Sequence, residues 1–216
     1  MVRTIFVTAT DTEVGKTWVT ASAVRSLLKE GRNAKAVKPI ACGLDKHGNN
    51  EDIDALLTAQ KLSSADQISL YRYPLPAAPS QAAAAEGQTI DPKTLVEWCE
   101  AEASKADTCL IEGVGGLMVP ITDHWLVSDW IEAMPDMEIW LVVGCKLGAI
   151  NQTLLTLEKL KQMGRIPTRI IFNATKPEQN DWIASTRQAV EPFLDQECQI
   201  HTLNHGKELT ASLPEL

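Results

Sequence analysis

Thr10-Asp11-Thr12-Glu13-Val14-Gly15-Lys16-Thr17 decides how the rest of this chain is read. It follows an apolar, β-rich run, Thr4 to Thr8. It precedes Thr17 to Glu30, where Val19, Ala23, Val24, Leu27 and Leu28 recur at close to the helical period. A strand, a tight turn and a helix in that order aim successive backbone N–H groups and a helix N-terminus at one point, which suits anionic oxygens. Gly15 supplies the turn, Lys16 a cation for the terminal phosphates, and Thr17 a hydroxyl for a magnesium ion. The usual spacing places a glycine five residues before Gly15, where this chain has Thr10, so a chance Gly-Lys-Thr after a strand is the competing reading. Glu13 would repel a triphosphate unless it faces another ligand, such as a substrate amine, or points to solvent.

Working outward, further buried-strand runs are Ala34 to Lys38, Thr108 to Glu112, Ile139 to Gly144 and Arg169 to Asn173. A second helical period carries Leu154, Leu157 and Leu160 on one face and stops at Met163, before Gly164 and Pro167. Strands alternating with helices imply a mostly parallel central sheet flanked by helices on both faces. With the phosphate loop this is an α/β fold of the P-loop NTPase type, expected as one domain over residues 1–216. Ligands of such sheets sit at the carboxyl ends of the strands. Lys38, Glu112 and Asn173 all fall there. The proline-rich stretch Tyr71 to Asp91 reads either as a long active-site loop flowing into a short helix or as a linker.

Composition narrows the function. The net charge of −8 disfavours a nucleic-acid partner, because no strong positive field would draw a polyanion. No run approaches the roughly 18 apolar residues that span a bilayer, so no membrane role is expected. The N-terminus lacks the apolar segment and cleavage site of a secretory signal. Five scattered cysteines without a C-x-x-C pair suit reduced thiols, so the expected compartment is cytoplasmic.

Thr10 to Thr17, with an acid inside the phosphate loop, resembles the loop of the dethiobiotin synthetases. So do Lys38-Pro-Ile-Ala-Cys-Gly43, Ile53-Asp-Ala-Leu56, Ile111-Glu-Gly-Val-Gly-Gly116 and Val142 to Asn151, in the family's order and at compatible spacing. The resemblance implies that ATP, CO₂ or bicarbonate, and 7,8-diaminononanoate give dethiobiotin, ADP and phosphate. The implied route passes through a carbamate and a carbamic-phosphoric anhydride. It implies catalytic roles for Lys16, Lys38 and Thr12, and nucleotide contacts from Glu13, Val14, Gly15, Lys16, Thr17, Glu112, Gly115 and Asn173, the last at the adenine edge. It assigns Mg²⁺ to Thr17, Asp54 and Glu112. Read as a residue alone, Asp54 also suits an ordinary helix start, beside Glu51 and Asp52. The substrate would meet Thr12, Lys38 and Cys42. Its carboxylate would meet Gly148, Ile150 and Asn151 of a neighbouring subunit, which requires a homodimer; an ordinary helix cap by Asn151 is the alternative.

Some positions depart from the family pattern: Ala9, Cys42, Ala78 to Ala82, Ala174, and the tail Gln199 to Leu216, which lacks the segment that frames adenine. Base recognition is therefore expected to be the least typical feature. Trp125 and Trp130 flank a stretch that is either core or a lining for the substrate's aliphatic chain. His201 and His205 have a metal-like spacing without partner ligands, and Cys42 and Cys145 lack a base for nucleophilic work. Dimeric switch ATPases share Val14 to Thr17 but carry a second loop lysine where this chain has Asp11. Glutamine-dependent amidotransferases of corrinoid synthesis need a further domain for which 216 residues leave no room.

Overall fold

A computed structural model describes residues 2–209. The chain runs β1 (Arg3–Ala9), α1 (Lys16–Lys29), β2 (Ala34–Val37), β3 (Ile40–Cys42), α2 (Glu51–Gln60), β4 (Tyr71–Tyr73), α3 (Pro79–Ala85), α4 (Pro92–Ala103) and β5 (Thr108–Glu112). It continues through β6 (Pro120–Thr122), β7 (Trp125–Leu126), α5 (Val127–Ala133), β8 (Glu138–Gly144), α6 (Ala149–Gln162), β9 (Arg169–Asn173), α7 (Asn180–Val190) and β10 (Gln199–Leu203). Six strands form one parallel sheet in the order β10-β9-β8-β1-β5-β2. β3 pairs with β4 in a small parallel sheet, and β6 with β7 in an antiparallel one.

The five expected strands are present and all belong to the six-stranded sheet. Its sixth member, β10, was not expected, because Gln-Ile-His-Thr-Leu at an edge buries only Leu203 fully. A strand covered on both faces must feed two cores, and β8 does so by period-two alternation. Trp140 and Val142 enter one apolar cluster with β1 and α1, whereas Leu141 and Val143 enter another with Ile170, Phe172 and Ile183. Trp130 is fully buried with its ring edge-on to Phe6, 4.9 Å between centroids, so it belongs to the core. Between Tyr71 and Asp91 the chain is more ordered than a linker: β4, a five-residue link, then α3, which buries Ala82 and Ala83. Helix α6 begins at Ala149, a turn and a half before the periodic leucines start, because Gly148 takes the N-cap at φ 90°.

Among the described residues no helix is long and apolar enough to cross a membrane. All five cysteines are free thiols.

One strand position makes stability depend on pH. Burial, aided by the Arg169 guanidinium, pushes the His201 imidazole down to about 4. The folded protein then holds fewer protons at His201 than the unfolded chain between about pH 6.5 and 4, so acidification through that window favours unfolding. We expect the melting temperature of His201→Gln to fall less than that of the wild type from pH 7 to 4.5, measured by circular dichroism. Parallel curves would refute this.

Candidate active site

β1 lies where the chain reverses its direction across the sheet, with β5 and β2 on one side and β8, β9 and β10 on the other. The loop leaving β1 is held from beneath. Val14 is buried with its side chain against Gly144, where an added Cβ would come within 2.5 Å of Val14 Cγ1. The Asn173 amide donates an N–H to the Val14 carbonyl at 2.8 Å. Gly15 turns at φ 92° with Asn173 directly behind it, and Glu13 adopts φ 56°. A left-handed conformation at a non-glycine residue costs of order 1–2 kcal/mol, so Glu13 is held there by its surroundings. Ala9, a departure from the family pattern, is not among the positive-φ residues and ends β1 as strand; the strained geometry falls on Glu13 and Gly15 instead.

Two lysines and three oxygen donors meet above the strand ends. Lys38 directly follows β2 and is buried, and its Nζ lies 2.7 Å from Glu112 Oε1 and 2.8 Å from Asp52 Oδ2. Burial opposes its charge, yet Glu112 and Asp52 override that and hold the ammonium above the usual lysine range. Lys16 differs: burial, together with repulsion from Lys38, lowers it to about 8. Its Nζ reaches the Asp11 carbonyl at 3.3 Å. Thr17 Oγ1 donates to Glu112 Oε1 at 2.6 Å. Burial alone would raise Asp52, but Lys38, Thr17 and Lys16 keep it below the usual carboxylate value.

The second carboxylate oxygen of Glu112 is buried and has no protein partner. With the Thr17 hydroxyl and the Asp52 carboxylate it makes a hard oxygen set. Such a set suits Mg²⁺, which takes one or two carboxylates and completes its shell with phosphate oxygens and water.

A cavity of about 760 Å³ opens over this cluster. Thr12, Glu13, Gly15, Lys16, Thr17, Lys38, Cys42, Glu112, Gly115 and Asn173 of the expected site all line it. Burial, only partly offset by Lys38, pushes the Cys42 thiol up to about 11, which fits its expected lack of nucleophilic character. Val14 lies beneath the loop rather than on the cavity wall.

Asp54 is the correction. It is exposed and absent from the wall, and Asp52 stands beside Lys38 instead. Asn50 caps α2 by accepting from the Asp52 and Ile53 N–H groups, which fixes where the helix starts. Residues 52 and 54 then point about 200° apart around the axis, so only one can face the site. The cap residue was the sequence signal that could have chosen between them.

Gly148, Ile150 and Asn151 do not border the cavity of their own chain; all three are exposed at the start of α6. They are tied to the loop indirectly, because Lys146 Nζ and Gln152 Nε2 both contact Asp11 Oδ2, at 2.8 and 3.1 Å. Lys146 is also the main reason the Asp11 carboxyl sits below its ordinary value. Trp125 and Trp130 are absent from the cavity wall. Pro76 to Ala78, within the stretch read as an active-site loop, stand on the wall, as do Trp18, His205 and Gly206, which the sequence reading did not assign. No group of three or more His, Cys, Asp or Glu side chains is placed to hold a metal among the described residues. Residues 210–216, the end of the divergent tail, lie outside the described residues.

Comparison with known proteins bears on the fold and the family. Two solved structures resemble the fold: the ParA family ATPase of Chlorobium tepidum, with TM-score 0.56 at 17% identity, covers 96% of this chain and 86% of its own. The MinC:MinD cell division complex of Aquifex aeolicus gives 0.54 at 16%, covering 95% and 82%. At such identities they show the P-loop fold and nothing finer. Residues 3–214 match a family described as an AAA domain. The ATP-dependent dethiobiotin synthetase of Akkermansia muciniphila is 36% identical over 207 residues, 95% of this chain and 94% of that protein. That of Methylobacterium nodulans is 39% identical over 168 residues, 73% and 74% of the two chains. The chain belongs to the family of ATP-dependent dethiobiotin synthetases.

Proposed function

We propose that this protein carboxylates and cyclises 7,8-diaminononanoate with CO₂ at the expense of ATP, giving dethiobiotin, ADP and phosphate, as one domain over residues 1–216. The observation that carries the reading is the meeting of Lys16 and Lys38, from separate strand ends, with Thr17, Asp52 and Glu112 in one cavity. Phosphoryl transfer needs positioning and charge neutralisation more than covalent help, and this cluster supplies both.

One substrate amine adds to CO₂ and loses a proton, giving a carbamate. A carbamate oxygen attacks the γ-phosphorus, and ADP leaves with the bond electrons. The second amine attacks the carbamoyl carbon of the resulting anhydride and expels phosphate, closing the cyclic urea. Lys38, kept cationic by its two carboxylates, faces the carbamate and the transferring oxygens. Lys16 holds the β- and γ-phosphates, so negative charge moves between two fixed cations. Thr12 and Cys42 border the diamine, and Glu13 is placed for one of its amines. Thr17, Asp52 and Glu112 would hold Mg²⁺, which neutralises phosphate charge when bound. Asn173 has one N–H committed to Val14, so it offers adenine only the remainder of its amide.

Gly148, Ile150 and Asn151 would hold the substrate carboxylate in the site of a partner subunit. Their exposure supports this, as do the exposed apolar Leu147, Ile150 and Leu155 nearby, at 85%, 42% and 63%. The working form is thus a homodimer, placed in the cytoplasm and without nucleic-acid or membrane partners.

Phosphate release from ATP is expected to depend on adding both the diamine and bicarbonate. Release indifferent to both additions would count against the reading.

A further inference from the structure

We propose that Trp18 is the platform on which the nucleotide base stacks, and that stacking rather than hydrogen bonding to the base edge sets base affinity. The inference rests on the nucleotide site proposed above and sharpens it. Trp18 directly follows Thr17 on α1 and is 44% exposed. Its indole N–H donates to the Lys207 carbonyl at 2.8 Å, which fixes the ring, and an Arg25–Glu208 ion pair holds the same tail segment to α1. The ring lines the cavity together with Ala174, Thr175, His205 and Gly206.

The sheet order gives this wall its direction. Lys38 and Glu112 leave β2 and β5 on one side of the phosphate loop. Ala174 and Thr175 follow β9, and His205 and Gly206 follow β10, on the other side. A triphosphate whose γ-end lies by Lys38 therefore carries its base toward Trp18.

Several donors on or beside that wall are committed within the protein. The Ala174 N–H bonds Leu203 O at 2.9 Å, and the Lys207 N–H bonds Asn204 O at 3.0 Å. The Thr175 N–H and hydroxyl both go to Gln179 Oε1, at 2.8 and 3.1 Å. The His205 N–H goes to Asn180 Oδ1 at 2.8 Å. What faces a base is chiefly an aromatic plane, and every base has a π-face, so the site should accept GTP within about tenfold of ATP. Pyrimidine nucleotides, with less ring to stack, should bind more weakly than either.

Calorimetric titration of the full chain with Mg-ATP, Mg-GTP, Mg-CTP and Mg-tripolyphosphate, without diamine, tests this. Trp18→Ala should weaken ATP and GTP about 5- to 150-fold, the range of base–aromatic stacking, and leave tripolyphosphate unchanged. Trp18→Phe, which keeps a ring but loses the bond to Lys207, should retain most of the ATP affinity, and Trp18→Leu should not. The inference is overturned if Trp18→Ala loses nothing, if tripolyphosphate weakens equally, or if Trp18→Phe falls as far as Trp18→Ala. It is also overturned if GTP binds more than a hundredfold weaker than ATP. If the wild type binds neither ATP nor tripolyphosphate, the nucleotide site itself is wrong; if it binds both equally, only the base platform is.

Discussion

Lys38→Ala is expected to lower kcat by about 10²- to 10³-fold, since it removes a preorganised cation from the point where charge shifts between carbamate and phosphate. The same change leaves Glu112 buried beside Thr17 without its counter-charge, a loss of about 3–5 kcal/mol of stability. Activity and folding could then be lost together, so the informative variant is double. Lys38→Met with Glu112→Gln removes both charges of the buried pair and leaves Asp52, whose side chain is 45% exposed, to solvent, so its melting temperature should return toward the wild-type value. Its turnover should stay as low as that of Lys38→Ala. A Lys38→Ala enzyme that keeps the wild-type rate would show that the second cation is not where the reaction occurs.

Gly15→Ala is expected to be nearly as damaging by a different route. An L side chain at φ 92° is strained, and the added methyl would lie 2.2 Å from Asn173 Nδ2, the group that bonds Val14 O. Strain and the displaced hydrogen bond together amount to about 3 kcal/mol. If the loop yields rather than the fold, that appears as about a 100-fold loss of Mg-ATP affinity. Gly87→Ala is the control, because Gly87 also has positive φ but nothing within 4 Å of an added Cβ. It should cost about 1 kcal/mol of stability and leave nucleotide binding alone. Equal affinities for the two variants would contradict the role given to the Gly15–Asn173 contact.

The sheet was legible wherever a strand is buried on both faces, because such strands are short runs of β-branched and apolar residues. Ile139 to Gly144 and Arg169 to Asn173 are of that kind. β10 was not legible, since its polar edge residues carry no such signature, yet it brings the tail back to the cavity. Lys16, Thr17, Lys38 and Glu112 could be placed by their positions after strands, where the fold alone dictates that side chains converge. Choosing between Asp52 and Asp54 required knowing which residue caps α2, a difference of two positions that reverses the direction of a side chain. Trp18 was invisible for a related reason. Its role depends on where residues 204–208 return, nearly two hundred positions later in the chain.

Supplying ¹³C-bicarbonate with diaminononanoate and Mg-ATP, and following products by mass spectrometry, tests the central claim most directly. The account predicts a cyclic urea carrying one ¹³C at its carbonyl, formed with one ADP per ring. ADP accumulating without a labelled cyclic urea would contradict it.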